Sequence, residues 1–394
     1  MKSCTQEKLD ELIYKRNKAV LLRVALYNVR LKDDLIPVPY IPVSKCESIY
    51  HGSYDNGRIL AAEIIGQITL TDIDYRILRQ QYDFDMEIRT VATARYGKLP
   101  EPLRRCVFEY YQKKTELKDK KSDKEHTKEF YKLLYDKLKA LLNAQYGMMA
   151  QDPVKVTTKF FSEHPEMFED LDTSPEELLD AHNKKAFLVY QWGVWVTARA
   201  REHLQKGIDL CGINFVYCDT DSCKYIGNDV NWDVLNKEVI RNAEKNKTYA
   251  IDPNGDKHYM GLFEIEDHMK EFKTMGAKKY AWIDDDNNVY ITIAGVNKKI
   301  GAKELVKAAS VKYGPPQDPL KFMAEGFVFK YAGGLEARYS DHPEWYGHDE
   351  YKTPEGIPIR ITRNVSLVPN TKTLGLASDY RRLLEISHKR LIDL

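Results

Sequence analysis

Apolar residues recur at helical spacing from the start of the chain. In residues 6–18, Leu9, Leu12 and Ile13 share one face, which predicts a helix. Residues 19–31 alternate in part and are rich in β-formers, which predicts a half-buried strand. Pro37, Pro39 and Pro42 then mark an extended connection. Residues 57–69 read as a second strand. Thr71 is placed to cap a helix that runs to about Gln81, and 91–100 reads as turn-rich. Helical spacing dominates 102–149, broken by a charged stretch at 118–128; two antiparallel helices with a solvated tip account for this. Residues 151–185, with several prolines and an acidic part at 163–180, read as an insertion holding a short helix. A helix is expected over 194–204. Residues 211–225 read as a strand, a tight turn and a returning strand.

An amphipathic helix follows at 229–246, with Trp232, Val234, Leu235, Val239 and Ile240 as its apolar positions. Paired strands are expected over 278–292, around the Asp286-Asn287-Asn288 turn. Beyond Gly295 the pattern predicts a helix at 302–309, a Gly- and Pro-punctuated middle, strands near 357–361 and a last helix at 378–393. There is no internal repeat.

Composition narrows the class. A chain of 394 residues with 43% hydrophobic and 30% charged residues describes a soluble globular protein with room for two or three packed units. The net charge is only +1, so a nucleic-acid site has to come from local clusters among its 60 Lys and Arg. The 26 tyrosines suit nucleic-acid grooves as well as a core. Six cysteines show neither a Cys-x-x-Cys pair nor a His partner at zinc spacing, as in a reduced, cytosolic protein. There is no signal-like N-terminus and no apolar run near 18 residues, so no membrane partner is expected.

The sharpest candidate chemistry lies in Tyr217-Cys218-Asp219-Thr220-Asp221-Ser222. An apolar run leads into two acids one residue apart at a hairpin tip. Asp219 and Asp221 offer hard oxygen ligands for a divalent ion such as Mg2+. Asp72-Ile73-Asp74, Asp83-Phe84-Asp85 and Asp284-Asp285-Asp286 share the spacing but read as helix-start or loop acids. A second group lies in the second helix of the 102–149 pair. Lys139, Asn143 and Tyr146 are four and then three apart and share a face, with Gly147 next. Such a face can grip a nucleotide, the ammonium on its phosphates; taken alone it also fits an ordinary amphipathic helix. Lys114 and Lys118 are neighbours on the partner helix, and Lys118 is the further candidate for a phosphate contact. Lys278 and Tyr280, two apart in an expected strand, point to one side and suit a primer backbone. Thr197 and Arg201 lie four apart and share a helical face; they can reach an outside partner, or Arg201 pairs with an acid on its own surface.

The string Tyr-Cys-Asp-Thr-Asp-Ser resembles motif C of family B DNA polymerases, and Lys139 to Gly147 resembles their motif B, with Ala144 where the family usually has Ser. Lys278-Lys279-Tyr280 resembles the family's Lys-x-Tyr. The 192–201 stretch and Ala294-Gly295 are similar to the phage protein-primed type. The resemblance runs from about residue 20 to about residue 300. It implies an α+β right-hand architecture with antiparallel palm strands, a helical fingers hairpin and a small thumb. Residues 1–101 would form part of the palm with a terminal-protein-region-like insertion around Tyr54 to Ile59. Residues 102–149 would be fingers, 150–298 palm with the 151–185 insertion, and 299–394 thumb and C-terminal extension.

The resemblance further implies template-directed DNA synthesis from dNTPs on a primer-template, by a two-Mg2+ mechanism with Asp219 and Asp221 as metal ligands. Lys118, Lys139, Asn143 and Tyr146 would bind the nucleotide, and Thr197, Arg201, Lys278 and Tyr280 the DNA. The family's motif A, Asp-x-x-Ser-Leu-Tyr-Pro, has no counterpart between Met1 and Lys139, and no exonuclease region fits. One set of metal ligands is therefore expected from outside this chain. A split enzyme whose other chain carries motif A and the exonuclease, a truncated or misassigned start, and a decayed relative all fit. So does a non-catalytic DNA-binding or scaffold subunit. A terminal protein is a further expected partner. An unrelated nucleotidyltransferase leaves the Lys139 to Gly147 pattern unexplained.

Overall fold

The computed structural model describes residues 4–33, 35–55, 57–118, 120, 126–150, 154, 157–160, 168–171, 174–185, 189–227, 229–310, 317–341 and 362–376. The chain forms two compact units. The first comprises Met1–Gln151 and Phe187–Glu264, the second Asp152–Ala186 and Ile265–Leu394. The segment 150–298 thus contributes to both. The expected strands near 357–361 and the helix at 378–393 lie outside the described residues, as does much of the acidic part at 163–180.

The first unit opens with α1 (Gln6–Asp10), capped by the Thr5 side chain and continued by one π-turn, Glu11–Lys15. It leads into β1 (Lys18–Leu31), the central strand of an antiparallel sheet. The sheet is completed by β2 (Cys46–Tyr50), β3 (Ser53–Asp55), β4 (Arg58–Thr71) and β5 (Tyr82–Arg95), in the order β2-β4-β1-β5 with β3 on β4. Val20, Leu22, Val24 and Leu26 alternate along β1 and are fully buried. Each contributes about 1.5–3 kcal/mol against leaving it exposed. Ile59, Ala62, Ile65 and Ile68 of β4 join the same core, with Leu9 and Ile13 packed over it. The stretch expected to be turn-rich is strand as far as Arg95, because Lys18 to Arg23 of β1 pair with Arg95 to Thr90 by backbone hydrogen bonds.

Between β4 and β5 lies α2 (Asp72–Gln81). It starts where the Thr71 cap predicts. The Thr71 hydroxyl accepts from the Asp74 N–H, and Asp74 accepts from the Thr71 N–H, a reciprocal capping box. Two antiparallel helices follow, α3 (Glu101–Leu117) and α4 (Lys128–Met149). A β-hairpin, β6 (Thr157–Phe160) and β7 (Phe168–Leu171), and α5 (Pro175–Lys185) belong to the second unit.

The chain returns to the first unit with α6 (Tyr190–Cys211), twice the expected length. Two glycines hide it in the sequence, and both are sites of close packing. A Cβ at Gly193 would lie 3.2 Å from Met149 Cβ; at Gly207 it would lie 2.8 Å from the Phe263 ring. After α6 come β8 (Phe215–Asp219) and β9 (Ser222–Tyr225), an antiparallel pair. Next are α7 (Asp233–Asn246) and the short pair β10 (Tyr249–Ile251) and β11 (Lys257–Tyr259).

The second unit is built on a three-stranded sheet, β12 (Glu271–Thr274), β13 (Lys279–Ile283) and β14 (Val289–Ile293), in that order. As expected, β13 and β14 are joined by a turn with Asn287 in the left-handed region, φ 63°. There α8 (Lys298–Ala309), capped by Asn297, sets Leu305 and Gly301 against Ile291 and Val296. Phe329 and Leu374 close that core. No helix among the described residues is long and apolar enough to cross a membrane.

Candidate active site

The hairpin β8–β9 carries the two predicted metal ligands at its tip. Phe215 pairs with Tyr225, Cys218 with Cys223 and Asp219 with Ser222, so the turn is Thr220-Asp221. Thr220 has φ 58°, and the Asp221 N–H donates to the Asp219 carbonyl at 2.7 Å, a three-residue turn. A β-branched residue in this region is strained. The turn presents Asp221 to solvent. Its carboxylate accepts no hydrogen bond and meets no cation at ion-pair distance among the described residues. Asp219 is half-buried, and one of its oxygens accepts from the Thr220 hydroxyl at 3.0 Å. Among the described residues no cluster of three His, Cys, Asp or Glu is formed that holds a metal ion. The pair is therefore an oxygen-donor surface that completes a metal shell only with further ligands.

The hairpin is fixed from behind by aromatic stacking. The Phe263 ring lies between His203 of α6, at 4.5 Å, and Trp232 at the start of α7, at 4.9 Å. Trp232 meets Tyr225 of β9 edge-on and donates its indole N–H to the Tyr225 hydroxyl at 3.1 Å. Burial holds the His203 imidazole below its ordinary value of 6.5, so it stacks as the neutral ring. On the same side, Cys223 meets Cys211 at the end of α6. That thiol contact, then burial, pushes Cys223 far up.

On the helical pair, Lys139, Asn143 and Tyr146 all lie exposed along α4. Lys118 caps the end of α3 and is exposed. Lys114 joins them: its ammonium lies 5.3 Å from the Tyr111 ring centre and 5.8 Å from that of Tyr135. Burial, then the charges of Lys139 and Lys118, hold Lys114 below 10.5. The charges of Lys139 and Lys118 are thus felt at Lys114, and the three form a basic cluster on the helical pair. Toward its tip end α3 is tied to β10, where the Gln112 side chain bonds both the N–H and the carbonyl of Ile251.

Thr197 and Arg201 are engaged within the protein. The Thr197 hydroxyl donates back to the carbonyls of Gly193 and Val194. Arg201 forks onto the Asp74 carboxylate, with Nη2 at 2.8 Å and Nε at 3.1 Å from Oδ1. Of the two roles open to Arg201 in the sequence, the structure displays the pairing with an acid. The other Asp-x-Asp pairs serve local structure. Asp72 and Asp74 are buried at the start of α2. Asp72 accepts from the Val20 N–H, the Trp195 indole and the Tyr96 hydroxyl. Asp85 accepts from Asn28, and Asp284 holds the turn before β14.

In the second unit, Lys278 is exposed with φ 54° and precedes β13. The alternation rule therefore does not put it on one face with Tyr280. Tyr280 is buried, stacked on Trp282 at 6.0 Å. Ala294-Gly295 forms the expected turn, with Gly295 at φ 81°.

This mixed α and β architecture is similar in fold to that of phi29 DNA polymerase. The structure of phi29 DNA polymerase complexed with primer-template DNA, a post-translocation binary complex, aligns at a TM-score of 0.55 and 16% identity, over 91% of this chain and 51% of that one. The ternary complex of phi29 DNA polymerase with primer-template DNA and incoming nucleotide substrates aligns at 0.54 and 18%, over the same shares. The chain thus spans about half the length of these polymerases. No protein-family profile and no curated protein sequence matches it.

Proposed function

We propose that this chain is the palm, fingers and thumb part of a family B DNA polymerase of the protein-primed type, acting in template-directed nucleotidyl transfer. The observation that carries the reading is the Asp219–Asp221 tip: an exposed Asp221 carboxylate without a partner among the described residues, on a braced hairpin, in a chain similar in fold to polymerases solved with primer-template DNA. Asp221, with Asp219 alongside, would hold Mg2+, which stabilises charge on the attacking 3′ oxygen and the leaving pyrophosphate. Lys139 and Lys118, with Lys114 beside them, bind the triphosphate. Asn143 and Tyr146 shape the nucleotide pocket, and Lys278 holds the primer backbone. Tyr280 supports Lys278 through the β13 packing, while Thr197 and Arg201 position the helix behind the hairpin. The exposed Tyr54 of β3 is where a terminal protein would engage. The third carboxylate would be supplied by motif A, which has no counterpart between Met1 and Lys139.

Primer extension with Mg2+ tests this, with the chain alone and with the product of the adjoining upstream reading frame. Extension abolished by Asp221→Asn supports it; extension untouched by Asp221→Asn ends it. One observation fits a second reading, a DNA-binding subunit without turnover: the exposed basic residues Lys118 and Lys139, with Lys114 beside them. That reading expects salt-sensitive DNA binding and no extension with any partner.

A further inference from the structure

A cavity of about 80 Å3 lies within the first unit, between the sheet, α6 and the strand β8. One water needs roughly 10–15 Å3 on this measure, so a tetrahedral oxyanion fits with room to spare. Its floor is apolar, with Leu78 among it, and its charged lining is Lys45, Arg58, Arg201 and Asp74. Asp74 has no capacity left for further cations. Its Oδ1 accepts from the Tyr40 hydroxyl and from Arg201, its Oδ2 from the Thr71 N–H, the Thr71 hydroxyl and Arg201.

Arg58 uses one N–H on the Tyr40 carbonyl at 3.0 Å. Its remaining N–H groups, and the Lys45 ammonium, have neither hydrogen bond nor ion pair among the described residues. Burial and the neighbouring charges of Arg201 and Arg58 depress Lys45, against the pull of Asp74. Cys218 of β8 also lines the cavity. Three cations thus line a half-enclosed space with one saturated carboxylate; Arg58 is half-buried, Lys45 reaches solvent, and neither has a carboxylate partner among the described residues.

We infer that this cavity is a binding site for a doubly charged oxyanion of the phosphate class, held by Lys45 and Arg58 with Arg201 behind them. The planar Arg58 fork suits two phosphate oxygens, and Lys45 meets them as a point charge. The site is separate from the exposed basic cluster on α3 and α4, and it does not depend on the polymerase reading.

The test titrates the full chain with sodium phosphate, pyrophosphate and acetate at fixed ionic strength. It follows Tm and, by peptide mass spectrometry, the maleimide labelling rate of Cys218. Phosphate or pyrophosphate should raise Tm saturably and slow Cys218 labelling. Lys45→Met and Arg58→Gln should each raise the half-saturating concentration about tenfold or more. Lys132→Gln, an exposed position on α4, should leave it unchanged. The labelling readout separates the cavity from phosphate bound elsewhere. Lys45→Arg should retain binding, which guards against misfolded variants. No rise in Tm in the unaltered protein overturns the inference. So does an equal response to acetate, or a response that survives both variants.

Discussion

Replacing Arg201 by Met removes a charge and a fork of hydrogen bonds while keeping most of the side chain's length. Asp74, 5% exposed, would be left with a buried negative charge hydrogen-bonded by Tyr40 and Thr71, with Lys45 and Arg58 lining the same cavity. Removing one partner of a buried ion pair costs about 3–5 kcal/mol. The Arg201 side chain is 33% exposed, so water screens part of the interaction, and about 2–3 kcal/mol is expected. Urea unfolding of the chain measures it, as a lower midpoint at unchanged slope.

A double-mutant cycle with Asp74→Asn sharpens the test, because the double variant should lose less than the sum of the singles. The pH dependence follows from Asp74. Burial alone would raise its pKa, but Arg201, Tyr40 and Thr71 outweigh that and hold it below 3.8. A carboxylate depressed in the folded state stabilises above its unfolded value, and the contribution is lost as pH falls through the folded one. The gap between the protein and Arg201→Met should therefore be full at neutral pH and close in acid. A variant within about 0.5 kcal/mol of the unaltered protein, with DNA binding weakened, would refute the structural role and make Arg201 a DNA contact.

Two further expectations concern the brace behind the hairpin. His203 is held neutral by burial, its pKa below 6.5, so the folded state loses stability as pH falls through that value; His203→Phe keeps the stack on Phe263 and should flatten the decline between pH 7 and pH 5, measured by urea midpoints. Gly207→Ala would put a methyl group 2.8 Å from the Phe263 ring, and the overpacking should cost about 1–3 kcal/mol and disturb the near-UV circular dichroism of Trp232.

Elements whose formation is decided locally were legible in the sequence. The Thr71 cap, the turn at Asn287 and the two-helix pair follow from neighbours within a few residues. Elements decided by distant partners were not. The end of β5 has Ala92, Thr93, Ala94 and Arg95 exposed, and it is strand because β1 offers it a ladder. The ends of α6 contain glycines that lower helix propensity, and they are helical because Met149 and Phe263 need the space. Tyr280 pointed toward a primer only under a register that starts at Lys278; the left-handed backbone there breaks the register.

The same distinction separates the two most informative Asp-x-Asp pairs. Spacing treats Asp72-Ile73-Asp74 and Asp219-Thr220-Asp221 alike, and both sit where a strand gives way to another element. What divides them is the state of their lone pairs. Asp74 receives donors from Thr71, from Tyr40 and from Arg201, which is 127 residues away in the chain. Asp72 is filled by Val20, Trp195 and Tyr96. A carboxylate so occupied has no lone pair left for a hard cation and would have to lose several hydrogen bonds to take one. Asp221 stands on a turn whose strained Thr220 turns it outward, with no donor among the described residues. Saturation is a property of the fold, and in this chain it makes the first pair a scaffold and, in the second, leaves the Asp221 carboxylate without a donor among the described residues.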